Sequence, residues 1–189
     1  MFVKVYLAVR SFIRHQILHI DDRSQLEIAV ANGLTIGKDC HVMGECIIDP
    51  GHCWLIEIGD RVTLAPRVHI LAHDASTKRP LGYTALGTVK IGNDVFVGAG
   101  TIILPGVEIG DRVVIGAGSV VSKSIPANSV AVGNPAHVIG SYEDYVEKRK
   151  IQMQTKPCYD YSYTINQITS EKKEQMIKEI KKMGGGFVQ

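Results

Sequence analysis

A mainly β fold, in which short strands turn at regular corners to form a coil, is predicted by three observations. From position 91 the chain falls into sixes, IGNDVF, VGAGTI, ILPGVE, IGDRVV, IGAGSV and VSKSIP, each opening with Ile or Val. The fifth place of each block holds Val95, Thr101, Val107, Val113, Ser119 or Ile125, small or β-branched throughout. A helix would repeat near 3.6 residues and a lone strand at 2, so a period of six marks strands separated by corners, with the first and fifth places pointing inward. The second observation is a longer period: IGND at 91 and IGDR at 109 lie 18 apart, as do GAG at 98 and GAG at 116. Three hexads therefore close one turn, which buries its aliphatic residues against the turns on either side. The third is that the same signature recurs at 36, 58 and 91 with spacings of 22 and 33, one turn plus four and one turn plus fifteen.

The elements follow in order. Residues 1–25 are expected to be helical: in MFVKVYLAVRSFIRHQILHI, Phe2, Tyr6, Val9, Ile13 and Ile17 recur at helical steps with Arg10 and Arg14 toward the polar side. Lys4, Arg10 and Arg14 break every apolar run before membrane-spanning length, so this is not a transmembrane segment. It packs on its own protein, or lies on a membrane surface as a basic helix. The coil is assigned to 26–140. The four-residue insertion in IIDPGHCWLIEIGD opens at Asp49. The fifteen-residue insertion is a loop over 74–88, directly after His73, and surface loops of that length commonly carry function. The tail, 141–189, reads as helical. SYEDYVEKRK forms one helix, and Ser170 caps a second that ends at Gly184 with Met176, Ile177, Ile180 and Met183 on one side. Such elements cover the open strand edges at the end of a coil.

Composition narrows the function. A chain of 189 residues, 45% hydrophobic and 21% charged, suits one globular domain with short appended elements. A formal charge of +2, with no basic patch interleaved with stacking aromatics, argues against nucleic acid as a partner. Cys40, Cys46, Cys53 and Cys158 form no CxxC pair and follow no secretory signal, so a disulfide framework or zinc ribbon is not expected and the compartment is inferred to be the cytoplasm.

From about Leu34 to Ile139 the chain resembles the hexapeptide-repeat acyltransferases, in the branch of galactoside, maltose, serine and capsular-sugar O-acetyltransferases. The resemblance is carried by the six hexads and the GNPA turn that follows them. It implies a left-handed parallel β-helix, a handedness no periodicity supplies, since ordinary crossovers favour the opposite hand. It also implies a homotrimer with acetyl coenzyme A in a groove between subunits, and acetyl transfer to a saccharide hydroxyl in envelope or capsular polysaccharide synthesis. His73 stands where the family places its general base. An imidazole, with an ordinary pKa near 6.5, accepts a hydroxyl proton near neutral pH as the oxygen attacks a thioester. No metal is required. The acceptor-side candidates are Asp49, Trp54, Tyr83 and Asp74. Asp49 lies where relatives carry an acidic residue in the acceptor pocket, although Asp-Pro-Gly is also an ordinary turn; Asp74 orients His73 or, as favoured here, caps the loop turn. Trp54 and Tyr83 stack on a sugar face or pack down their loops. For the cofactor, the resemblance places Ala99 and Ala117 along the pantetheine arm and Ser122 and Lys123 at the nucleotide end, where an ammonium suits the 3′-phosphate. His137, also placed on the cofactor side, and Gly140 stand where relatives often carry arginines, so the phosphate grip is weaker or shifts toward Lys148, Arg149 or Lys150.

Three other functions fit the residues less well. A sugar N-acetyltransferase would use the same base. A zinc lyase of the carbonic-anhydrase kind would draw on His41, His69 and His73, but their spacing departs from that family's. A non-catalytic scaffold would have no use for a histidine at the mouth of the long loop.

Overall fold

The computed structural model describes residues 24–189, and the chain divides into two compact units, 1–139 and 140–189. The helix expected over 1–25 falls, except for its last two positions, outside the described residues. Its neighbour is a helix the hexad pattern did not announce. Apart from Gln25, α1 (Gln25–Ala31) occupies positions assigned to the coil, because Ser24 and Glu27 form a capping box: the Ser24 hydroxyl accepts from Glu27 N–H and the Glu27 carboxylate accepts from Ser24 N–H at 2.7 Å.

The first unit is mainly β. β1 (Thr35–Ile36), β2 (His41–Val42) and β3 (Ile47–Ile48) make a first turn, and β4 (Ile56–Ile58), β5 (Thr63–Leu64) and β6 (His69–Ile70) a second. The chain then leaves the wall as β7 (His73–Asp74), a 3-10 turn, α2 (Lys78–Leu81) and β8 (Ala85–Leu86). It resumes with β9 (Val89–Ile91), β10 (Phe96–Val97) and β11 (Ile102–Ile103), then β12 (Glu108–Ile109), β13 (Val114–Ile115) and β14 (Val120–Val121), before β15 (Ser129–Val132) and β16 (His137–Ser141). Leaving aside β7 and β8, every third strand as far as β14 joins the same sheet. β1, β4, β9 and β12 form one sheet, β2, β5, β10, β13, β15 and β16 a second, and β3, β6, β11 and β14 a third. The first sheet is parallel with Ile36 opposite Ile58, Ile58 opposite Ile91, and Ile91 opposite Ile109. The spacings of 22, 33 and 18 read from the sequence are therefore its register.

Both predicted inward places are buried. Ile58, Leu64, Ile70, Ile91, Val97, Ile103, Ile109, Ile115 and Val121 fill the axis from the first place, and Val62, Val68, Val95, Val107, Val113 and Ile125 from the fifth. Burying each such side chain stabilises by roughly 1.5 to 3 kcal/mol before chain entropy is subtracted. Thr101 and Ser119 are buried at fifth places because their hydroxyls donate to the Gly116 carbonyl, Ser119 at 2.6 Å. The third place of the recurring signature has its own task. Asp60, Asn93 and Asp111 each accept, through Oδ1, the backbone N–H of the residue one turn back, Lys38, Asp60 and Asn93 respectively. A column of side-chain acceptors thus ties successive corners together.

In the second unit, α3 (Tyr142–Thr155) is capped by Ser141, whose hydroxyl accepts from Asp144 N–H. α4 (Ser170–Met183) is capped one residue before the predicted position: Thr169 is extended and its hydroxyl accepts from Lys172 N–H, which makes Ser170 the first helical residue. Gly184 ends the helix in the left-handed conformation, as expected. Met176 and Ile180 are half-buried, whereas Ile177 and Met183 are exposed. β17 (Cys158–Tyr159) pairs with β18 (Phe187–Val188), and the Tyr159 hydroxyl donates to Glu179 at 2.9 Å. Among the described residues no helix is long and apolar enough to cross a membrane.

Candidate active site

The two insertions meet. β3 and β6 are neighbours in the third sheet, with Ile48 opposite Ile70, so the residues that leave these strands stand one above the other at the same corner. Asp49 leaves β3, and Ala72 and His73 follow β6. The His73 Nδ1 lies 2.5 Å from Asp49 Oδ2. An ionised carboxylate only accepts, so Nδ1 carries a proton, and in the neutral ring Nε2 keeps its lone pair. The His73 side chain is 33% exposed and that of Asp49 is fully buried.

Four donors converge on the Asp49 carboxylate. Gly51 and His52 N–H donate to Oδ1, both at 3.0 Å, while Ala72 N–H donates to Oδ2 at 2.8 Å beside the imidazole. Burial pushes this carboxyl up, but the bonds from Ala72, His73 and Gly51 outweigh it and hold it below the ordinary carboxylate range. The Asp-Pro-Gly turn read in the sequence is present, and it supplies two of the amides that hold the carboxylate in the interior.

The long excursion is closed at its base. β7 and β8 pair antiparallel, with His73 opposite Leu86, and Gly87 N–H donates to Ala72 C=O at 3.0 Å. His73 is therefore held on both flanks. Asp74 is the cap of the following turn, accepting from Ser76 N–H at 2.8 Å, which also lowers its pKa. The residue that orients His73 is Asp49. Tyr83, two residues before β8, is 80% exposed. Trp54, on the short 3-10 turn after Asp49, is exposed and lies 5.3 Å, centroid to centroid, from the His52 ring.

His52 was not singled out by the sequence. Its ring sits 5.1 Å from that of His73, and its Nδ1 is buried without a hydrogen-bond partner, 3.9 Å from Asp49 Oδ1. The signal that would have found it is the register: a 22-residue offset places 49–52 beside 71–74.

The cofactor candidates occupy two corners. Ala99 follows β10 and Ala117 follows β13, so they stack where the second sheet gives way to the third, and Gly118 N–H donates to Ala99 C=O at 2.8 Å. Ser122 and Lys123 are exposed just after β14, at the same corner as Asp49 and His73 but two turns on from His73. His137 is exposed in β16. His41 and His69 project outward from β2 and β6. Lys148, Arg149 and Lys150 are exposed on α3 of the second unit, where Arg149 lies over the Tyr145 ring.

This coil of hexads is shared with known proteins. Residues 88–123 match the bacterial transferase hexapeptide (six repeats) family. Protein CapG of Staphylococcus aureus is 37% identical over 154 residues, which cover 79% of this chain and 85% of CapG. The chain belongs to the hexapeptide-repeat acetyltransferase family. Among solved structures, a maltose O-acetyltransferase from Clostridium difficile is 46% identical with a TM-score of 0.53 over 58% of this chain and 59% of that one. A hexapeptide-repeat acetyltransferase from Vibrio cholerae, solved with acetyl coenzyme A, is 28% identical with a TM-score of 0.53 over 58% of this chain and 61% of that one. The chain thus spans about three fifths of these two solved chains.

Proposed function

We propose that this protein is an acetyl coenzyme A-dependent O-acetyltransferase acting on a saccharide hydroxyl, in envelope or capsular polysaccharide synthesis, with His73 as its general base. The observation that carries this reading is the bond from His73 Nδ1 to the buried Asp49, which leaves Nε2 free to take a proton. In the reaction, Nε2 accepts the hydroxyl proton as the oxygen attacks the thioester carbonyl carbon. Asp49 stabilises the imidazolium so formed. When the tetrahedral adduct collapses to the ester, the imidazolium returns its proton to the departing thiolate. Positioned proton transfer of this kind contributes roughly 10²- to 10⁴-fold. Backbone amides at the corners are the candidate donors to the oxyanion. The maltose O-acetyltransferase favours a sugar acceptor, and the relative solved with acetyl coenzyme A favours that donor.

In the same reading the coil is left-handed, as in the family, and works as a homotrimer in the cytoplasm. The outward face of the first sheet is polar, with Thr35, Glu57, Lys90 and Glu108, whereas the third sheet shows Ile47, His69, Ile102 and Val120 and the second carries His41, Thr63, Phe96 and Val114. Two of the three faces thus suit contact with copies of the chain. Within one chain the third sheet separates the His73 corner from that of Ala99 and Ala117, so a neighbour bringing the second corner to the first completes a groove. Ser122, Lys123 and His137 would meet the nucleotide end, and Trp54 and Tyr83 the sugar.

The test is thiol release from acetyl coenzyme A in the presence of a panel of mono- and oligosaccharides. His73→Ala is expected to lower turnover by at least about a hundredfold. Undiminished turnover would move the base elsewhere.

A further inference from the structure

Among the described residues one group of potential metal donors converges, formed by Asp49, His52 and His73, whose ligand atoms all lie within 4.8 Å of one another. The hydrogen bond between Asp49 and His73 accounts for two members of the group. His52 remains unexplained, since its Nδ1 is buried, faces the same carboxylate at 3.9 Å and has no hydrogen-bond partner. A buried ring nitrogen with no partner is costly unless something satisfies it. Zinc binds imidazole nitrogen at roughly 2.0–2.1 Å and carboxylate oxygen at roughly 2.0–2.2 Å, so tetrahedral ligand atoms stand about 3.3 Å apart. The distances of 3.9 Å from His52 and 2.5 Å from His73 to the Asp49 oxygens bracket that separation. Asp49 is held in place by three backbone amides, while the two imidazoles are partly exposed and can adjust.

We propose that Asp49, His52 and His73 form an inhibitory Zn²⁺ site, with both histidines ligating through Nδ1 and the fourth position open to solvent. Coordination displaces the proton from His73 Nδ1, and the neutral ring carries it on Nε2 instead, with no net gain or loss of protons. Nε2 then donates and no longer accepts, so the base is switched off while the fold is unchanged. The inhibitory consequence rests on His73 being the base; the binding of the ion does not.

The experiment is calorimetric titration of the metal-free full-length chain with zinc chloride, alongside His52→Phe, which keeps a ring between Trp54 and His73 but removes the ligand atom, and His52→Ala. One zinc per chain is expected, with affinity lower by about tenfold or more in both variants. Acetyl transfer should fall over the same zinc concentrations, recover on adding EDTA, and resist zinc in the His52 variants when each is scored against its own metal-free rate. Absence of saturable one-to-one uptake, or equal affinity in His52→Phe, overturns the site. The metal-free rate of His73→Ala tests the base separately, so the two failures are told apart.

Discussion

Nε2 of His73 can take a proton only while Nδ1 carries the other, and the bond to Asp49 favours that tautomer. Asparagine at 49 would turn an amide donor toward either Ala72 N–H and His73 or the N–H groups of Gly51 and His52, opposing donor to donor. The ring could satisfy it only by offering the Nδ1 lone pair, which places the proton on Nε2. Asp49→Asn is therefore expected to lower kcat by about a hundredfold or more with the KM for acetyl coenzyme A little changed, and to destabilise by about 2–3 kcal/mol. The pH dependence has a definite sign. Since the folded pKa of Asp49 is depressed, its contribution is complete above the unfolded carboxyl value of about 3.9 and is lost as pH falls through the folded value. In calorimetry, the gap in Tm between wild type and Asp49→Asn should hold from neutrality to about pH 5 and close below about pH 4. A gap that widens in acid would contradict the assignment of a depressed pKa.

At the scale of the turn, the hexads use glycine for two unrelated reasons. A Cβ at Gly98 would stand 2.4 Å from Ala117 N, so this second-place glycine lets neighbouring turns approach. Gly100 has φ near 68° and open space around it, so there the need is conformational. The fourth place of the hexad is left-handed even without glycine: Arg61, Arg67, Asp94 and Arg112 have φ of 55°, 62°, 56° and 54°. Only the first use forbids a methyl group outright. Gly98→Ala is expected to cost about 3 kcal/mol and Gly100→Ala about 1–2 kcal/mol. Urea unfolding at fixed protein concentration checks the order, and equal midpoints would mean that the approach of the turns is not limiting.

For the whole molecule, the polarity of the three outer faces predicts assembly. Phe96 is 45% exposed on the second sheet, opposite Thr63 and Val114. Phe96→Glu places a charge on that face with no effect on the core, since the side chain points outward. Sedimentation is expected to show a trimer for wild type and a smaller species for the variant, with acetyl transfer at least about tenfold lower because the groove lacks its second wall. A fully active monomer would overturn the shared groove.

The sequence by itself determined the coil and its phase. Period six set the inward places, and spacings of 18, 22 and 33 set the register, because each turn packs only on its neighbours and a local pattern is then also the tertiary one. It also located His73 at the mouth of the loop. What it left open were contacts between turns with no fixed spacing. α1 was missed because a capping box, not a hexad, governs residues 24–27, and the cap of α4 moved by one residue because Thr169 and Ser170 are both competent caps. Asp49 as the partner of His73 and the unsatisfied nitrogen of His52 were decided by the tertiary structure. Each depends on where two insertions of different length place their side chains above the same corner, and an insertion is where the repeat stops dictating direction.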